Sequence, residues 1–185
     1  GAMRLLRHWS VRHARGLARV YEACARVAPR LRPLVGLMGR EGTEAIIKPV
    51  ERASKRLLFD CKMCGQCVLS STGMACPTNC AKQMRNGPCG GVRADGHCEV
   101  DSTMRCVWVE AVDGIKRVDG ALPAYPATLA PIDRRQAERS TWTQVIAGDA
   151  PAITVTPVGR ALPPAANANV ENSHAVHAFE RACRT

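Results

Sequence analysis

Large aromatic side chains are scarce in this chain: three Trp, two Tyr and two Phe amount to 4% of its 185 residues. A conventional ring-filled core is thereby excluded as the main source of stability. Long apolar runs are missing as well. None approaches the ~20 residues that cross a bilayer, so no membrane span is expected. No secretory leader opens the chain, and Gly1-Ala2-Met3 reads as the scar of a cleaved tag with the native start at Met3. A cytoplasmic, reducing location is the expectation, and it makes disulfides the poorer use of cysteine. The marks of bond-making catalysis are also absent. There is no Ser/His/Asp set, no glycine-rich phosphate loop opening a helix, and no carboxylate pairing suited to general acid–base work.

Cysteine is what the chain has instead. Eight of its ten cysteines, Cys61, Cys64, Cys67, Cys76, Cys80, Cys89, Cys98 and Cys106, fall in one short stretch, enough for two sets of four metal ligands. A segment this short and this poor in large apolar residues needs staples, and thiolates on metal are the expected ones. The predicted fold class is a small metal-stapled domain of few helices, with a loop-rich cysteine region, little strand, and extended N- and C-terminal arms.

Spacing separates the candidate metals in part. Structural zinc takes cysteines in pairs with a long gap between them. Cys61-Lys-Met-Cys64-Gly-Gln-Cys67 offers three at i, i+3 and i+6, which suits three corners of a cubane. Cys76 lies beyond the ferredoxin spacing although Pro77 follows it, so a ferredoxin fold is not implied. Two [4Fe–4S] clusters are the leading expectation. One [4Fe–4S] cluster plus a four-thiolate zinc, or zinc alone, are the alternatives, and spacing leaves open which four cysteines share a site. His97, beside Cys98, is a candidate replacement ligand, although a lone loop histidine is more often a solvated side chain. Gly65, Gly87, Gly90 and Gly91 flank the cysteines; they read as ordinary tight turns or as places where backbone N–H groups turn toward sulfur.

The intervening residues carry a resemblance. Cys61 through Cys80, then Met84-Arg-Asn-Gly-Pro-Cys-Gly-Gly-Val92, Gly96-His-Cys-Glu-Val100 and Cys106-Val-Trp108 resemble the cysteine-rich methylenetetrahydrofolate reductase C-terminal domain family. That domain is found alone as the small MetV-type subunit of two-subunit reductases. The resemblance covers residues 34 to 112. It implies a non-catalytic subunit whose eight cysteines bind the metal and link the flavin of a (β/α)8-barrel subunit to a redox partner, a ferredoxin or a nicotinamide-linked donor. The flavin belongs to the barrel and not to this chain. The basic N-terminal segment and the Pro/Ala-rich tail depart from the family pattern.

Three regions are expected: a basic amphipathic arm over residues 1–33, the cysteine-rich domain over 34–118, and an extended, partner-wrapping tail over 119–185. The net charge of +10 is concentrated early, since residues 1–56 hold thirteen Lys or Arg against four Asp or Glu. Leu6, Trp9, His13, Leu17, Val20, Cys24 and Val27 mark one face of a helix ending near Pro29, with Arg4, Arg12, Arg15, Arg19 and Arg26 opposite. Such a stripe is expected to be buried against protein. A membrane surface or nucleic acid is the lesser expectation, and an organellar transit peptide is a further likeness of the same composition.

A second helix is predicted over Pro49–Leu58, with Pro49 in its first turn and Val50, Ala53 and Leu57 on one side. Val107-Trp108-Val109 alternates like a brief strand, and Trp108 is a cap for the metal region. Residues 120–131 read as a linker, and Ile132 to Ala147, with Trp142, Val145 and Ile146, as one helix that docks on a partner. Ala150 to Ala168 is Pro/Ala-rich, His174 to Arg184 is a final helical turn or two, and Cys183 is a spectator.

Three function classes follow. The first is an iron–sulfur electron-transfer subunit. The second is a structural zinc-binding accessory subunit with no redox role. A zinc-bearing nucleic-acid binder is the third, and it lacks the finger spacing and readout helix of that class.

Overall fold

A computed structural model of the chain describes residues 2–87, 89–119, 129 and 131–149. Among them helices and irregular loops make the fold, and backbone pairing is limited to the isolated bridges Val92–Cys98 and His97–Arg105. The predicted helix-and-loop character is what forms. The calls on residues 120–128, 130 and 150–185, including most of the linker, the Pro/Ala-rich stretch, the last helical turns and Cys183, lie outside the described residues.

The N-terminal arm is two helices and not one. α1 (Ala2–Arg12) and α2 (Ala14–Val27) are separated by His13, whose φ of −103° and ψ of 22° leave the helical region. α2 stops just before Pro29, as predicted. The buried face differs from the expected one. Trp9, Val20 and Val27 are 45%, 61% and 46% exposed, while Arg7, Ser10, Val11, Ala14 and Tyr21 are buried. Small side chains at Ser10 and Ala14 let the arm approach its neighbours closely. The Ser10 hydroxyl donates to the Leu58 carbonyl at 2.7 Å, and Arg7 Nε lies 3.5 Å from Glu110 Oε2.

A 3-10 turn (Ala28–Leu31) leads into α3 (Arg32–Phe59), which is bent at Gly39, where φ is 74° and ψ 173°. The helix predicted from Pro49 is therefore the second half of a longer one, with Pro49 in its interior. Its predicted apolar side also faces out: Val50 and Leu57 are 69% and 55% exposed. Thr43, Glu51, Lys55 and Phe59 face in, at steps of eight, four and four, which is one helical face.

Val107–Val109 is not a strand. It opens α4 (Val107–Asp119), and Val107, Trp108, Val109, Ala111, Val112 and Ile115 are all buried. Three consecutive apolar residues at the start of a largely buried helix are too short a run to separate helix from strand. α1 and α2 both pack on α4.

The helix predicted over Ile132–Ala147 is shorter. Arg134–Gln136 is a single 3-10 turn, and α5 (Thr141–Ala147) starts only after Ser140, whose Oγ accepts from the Thr143 amide at 3.0 Å. Upstream, the backbone is committed elsewhere. The Gln66 side chain donates to the Asp133 carbonyl at 2.9 Å and accepts from its amide at 3.2 Å. Asn86 does the same for Leu129, at 3.0 and 2.7 Å. These two side-chain amides fasten the returning chain across the cysteine loops. Trp142 docks on this chain's own Tyr21, with ring centroids 5.0 Å apart. No helix of the described residues is long and apolar enough to cross a membrane.

Candidate metal centre

α3 delivers the chain into the first cysteine loop. Asp60 closes the helix in the left-handed region at φ 49°, and Met63 and Gly65, at φ 50° and 72°, turn the loop twice more. A Cβ at Gly65 would overlap the Gln136 carbonyl, so only glycine lets the returning segment lie this close. The result is a cavity lined by Cys61, Cys64, Cys67 and Cys76, with Lys55 and Glu51 in its wall.

All four of these sulfurs have a hydrogen-bonding neighbour, and Cys64 Sγ donates to the Gln66 carbonyl at 3.7 Å. The Met63 amide donates to Cys61 Sγ at 3.3 Å, the Tyr21 hydroxyl donates to Cys67 Sγ at 3.1 Å, and Thr78 Oγ1 lies 3.0 Å from Cys76 Sγ. Burial pushes the Cys76 thiol up to about 12. It raises Cys61 also, against the opposing pull of the Met63 amide and the Lys55 ammonium. Uptake of a metal there must release those protons, since the thiolate is the ligand.

The second group lies on the loop before α4. Cys106 interacts electrostatically with Cys89 and Cys98, and burial raises its thiol while the Trp108 and Val109 amides at the start of α4 pull it down. That is the position in which a helix N-terminus favours negative charge. The Gly91 amide donates to Cys89 Sγ at 3.4 Å, as the reading of glycine N–H groups turned toward sulfur requires. Gly87 has a different reason: a Cβ there would overlap the Trp108 ring. Cys80 packs against the apolar core that contains Cys106 and Trp108, whereas Cys67 and Cys76 belong with Tyr21, Phe59 and Met74. Among the described residues the indole Nε1 of Trp108 is buried without an acceptor.

The eight cysteines thus fall into two neighbourhoods. Cys61, Cys64, Cys67 and Cys76 share one, and Cys80, Cys89, Cys98 and Cys106 the other. All are free thiols. Among the described residues, no three Cys, His, Asp or Glu converge tightly enough to hold one ion, and the first four cysteines line one cavity. The donor set suits a cubane: four thiols, with N–H and O–H groups aimed at sulfur. His97 is half-buried with Nδ1 3.4 Å from Asp95 Oδ2, and Cys24 is exposed on α2.

Sequence reasoning missed the group beside the first cavity. Lys55 and Glu51 are each 4% exposed, and Lys55 Nζ lies 2.5 Å from Glu51 Oε1. The ammonium sits 5.7 Å from the Tyr21 ring centroid and 5.6 Å from that of Trp142. The only local signal is the i,i+4 Glu/Lys spacing, which ordinarily marks a solvated helix face.

Fold and site define a helical, cysteine-rich module with two groups of four thiols. Residues 41–133, half of the chain and all eight clustered cysteines, match the family model described as methylene-tetrahydrofolate reductase C terminal, and the chain belongs to that family. The expected family and its location in the chain are thereby borne out, and with them an association with methylenetetrahydrofolate reductase and one-carbon chemistry. No curated protein and no solved structure matches the chain.

Proposed function

We propose that this chain is the iron–sulfur subunit of a methylenetetrahydrofolate reductase complex. It holds two [4Fe–4S] clusters, one on Cys61, Cys64, Cys67 and Cys76 and the other on Cys80, Cys89, Cys98 and Cys106. The observation that carries this reading is the first cavity, with four thiols in its wall and donors directed at their sulfurs. When bound, such a cluster takes up and releases single electrons.

The chain's own residues supply what such a group needs. Backbone amides and hydroxyls bond to sulfur, apolar side chains keep water away, and Asp133 and Leu129 are tied across the loops by Gln66 and Asn86. The work proposed is a relay between the flavin of a (β/α)8-barrel partner and a ferredoxin or nicotinamide-linked partner, in the cytoplasm. No substrate chemistry is assigned to this chain.

Anaerobic iron, zinc and sulfide analysis tests the reading, with a visible spectrum before and after dithionite. About eight iron and eight sulfide per chain, with broad absorption that bleaches on reduction, is the expected result. Stoichiometric zinc in a colourless, sulfide-free protein overturns it and leaves a structural accessory subunit.

A further inference from the structure

We propose that Tyr21 and Lys55 set the reduction potential of the centre on Cys61, Cys64, Cys67 and Cys76, the phenol by its hydrogen bond to the Cys67 sulfur and the ammonium by its buried positive charge. The inference rests on the iron–sulfur reading of those four thiols.

The placement of Lys55 carries the argument. A lysine is almost never fully buried unless something holds its charge, because leaving water costs several kcal/mol in order of magnitude. Here the ammonium is held from three sides, by Glu51 Oε1 at 2.5 Å and by the faces of Tyr21 and Trp142. Glu51 does not serve Lys55 alone. Its Oε2 accepts from the Ser140 hydroxyl at 2.5 Å and the Trp142 amide at 3.3 Å, so polar hydrogens from α5 share its negative charge. Glu51 thus divides its charge between the ammonium and these donors, and Lys55 shares the cavity wall with Cys61 and Cys67.

Tyr21 acts at one atom. Its hydroxyl donates to Cys67 Sγ at 3.1 Å, and Tyr21 is itself buried. A hydrogen bond to a ligating sulfur and a nearby buried cation both favour the form with one more electron. One electron enters, no bond forms or breaks, and no proton moves. In the test dithionite is oxidised and supplies that electron. The lysine beside the second group, Lys82, interacts with Cys89 but is partly exposed and paired with Glu99, so the two centres are expected to differ in potential.

Tyr21→Phe removes one oxygen and keeps the ring that packs on Trp142. Redox titration of the full-length protein, followed by absorbance and electron paramagnetic resonance, reads the outcome beside its iron content. Tyr21→Phe is expected to retain full iron and to move one of two midpoint potentials downward, leaving the other in place. Lys55→Met removes the cation and leaves Glu51 its Ser140 and Trp142 donors, and the same midpoint is expected to fall. Unchanged midpoints at full iron overturn this inference and leave the iron–sulfur reading standing. Loss of iron from Tyr21→Phe makes Tyr21 a holding group and also overturns it. Wild-type protein without iron and sulfide overturns both.

Discussion

Gly73 and Gly114 meet backbone to backbone: a Cβ at position 114 would overlap the Gly73 carbonyl, and one at 73 would overlap α4 itself. This contact seats the loop between Cys67 and Cys76 directly on α4. Gly114→Ala is therefore expected to destabilise by about 1–3 kcal/mol, the usual cost of overpacking, despite alanine's better helix propensity. Gly16 in α2 meets nothing within 4 Å, so Gly16→Ala is expected to stabilise by about 0.5–1 kcal/mol. Denaturant midpoints of the two variants should move in opposite directions.

Exposure makes a second contrast. Val50 is 69% exposed and Met74 1% exposed. Val50→Ser should stay within about 0.5 kcal/mol of wild type. Met74→Ala, which empties space beside Tyr21, Phe59 and Cys76, should cost about 2–5 kcal/mol. Equal losses would mean that the apolar side of α3 is covered in the isolated chain.

Glu110 gives a pH dependence. Burial raises its pKa above the ordinary 4.5, although Arg7 and His8 pull against the shift. A carboxyl raised on folding binds more protons in the native than in the unfolded state. Its stabilising effect is complete below 4.5 and is lost as pH climbs through the raised native value. Thermal melts over the mildly acidic range should show that decline, and Glu110→Gln should flatten it. A slope unchanged in the variant would assign it to other groups.

The tie between Asn86 and Leu129 can be read by hydrogen exchange. Asn86→Ala removes the acceptor of the Leu129 amide and the donor to its carbonyl. At about 1 kcal/mol for each bond, exchange at Leu129 should quicken by roughly tenfold or more. The Ser140-capped Thr143 amide should be unaffected. Uniform acceleration across both sites would indicate global destabilisation instead.

The two neighbourhoods of cysteines predict separable losses. Cys76→Ser and Cys98→Ser should each lower iron content by about half, to roughly four atoms per chain. The double variant should hold almost none. Complete loss from either single change would mean that the two groups assemble only together.

Much of the candidate site was legible because cysteine spacing is a local signal. Cys61, Cys64 and Cys67 reveal themselves by spacing, and the intervening residues identify the family that the comparison over 41–133 shows. Helix existence was legible too, through apolar recurrence in the arm and the stop before Pro29. The direction in which those helices face was not. Val20, Val27, Val50 and Leu57 are apolar and face out, while Arg7, Ser10, Glu51 and Lys55 are polar and face in. Hydrophobic periodicity assumes that burial follows side-chain type, and here polar partners on distant segments reverse it.

By itself the sequence determined a helical, aromatic-poor chain, its family and eight candidate thiols, because each is written in composition or in short-range spacing. Only the tertiary structure divided the thiols into two neighbourhoods, because Cys76 joins Cys61 through the packing of α2, α3 and α5, whereas Cys80 joins Cys106 against α4. It also brought Tyr21, Lys55 and Trp142 together from three helices. Residues separated by more than a hundred positions carry no spacing signal, and their meeting is decided by which faces pack.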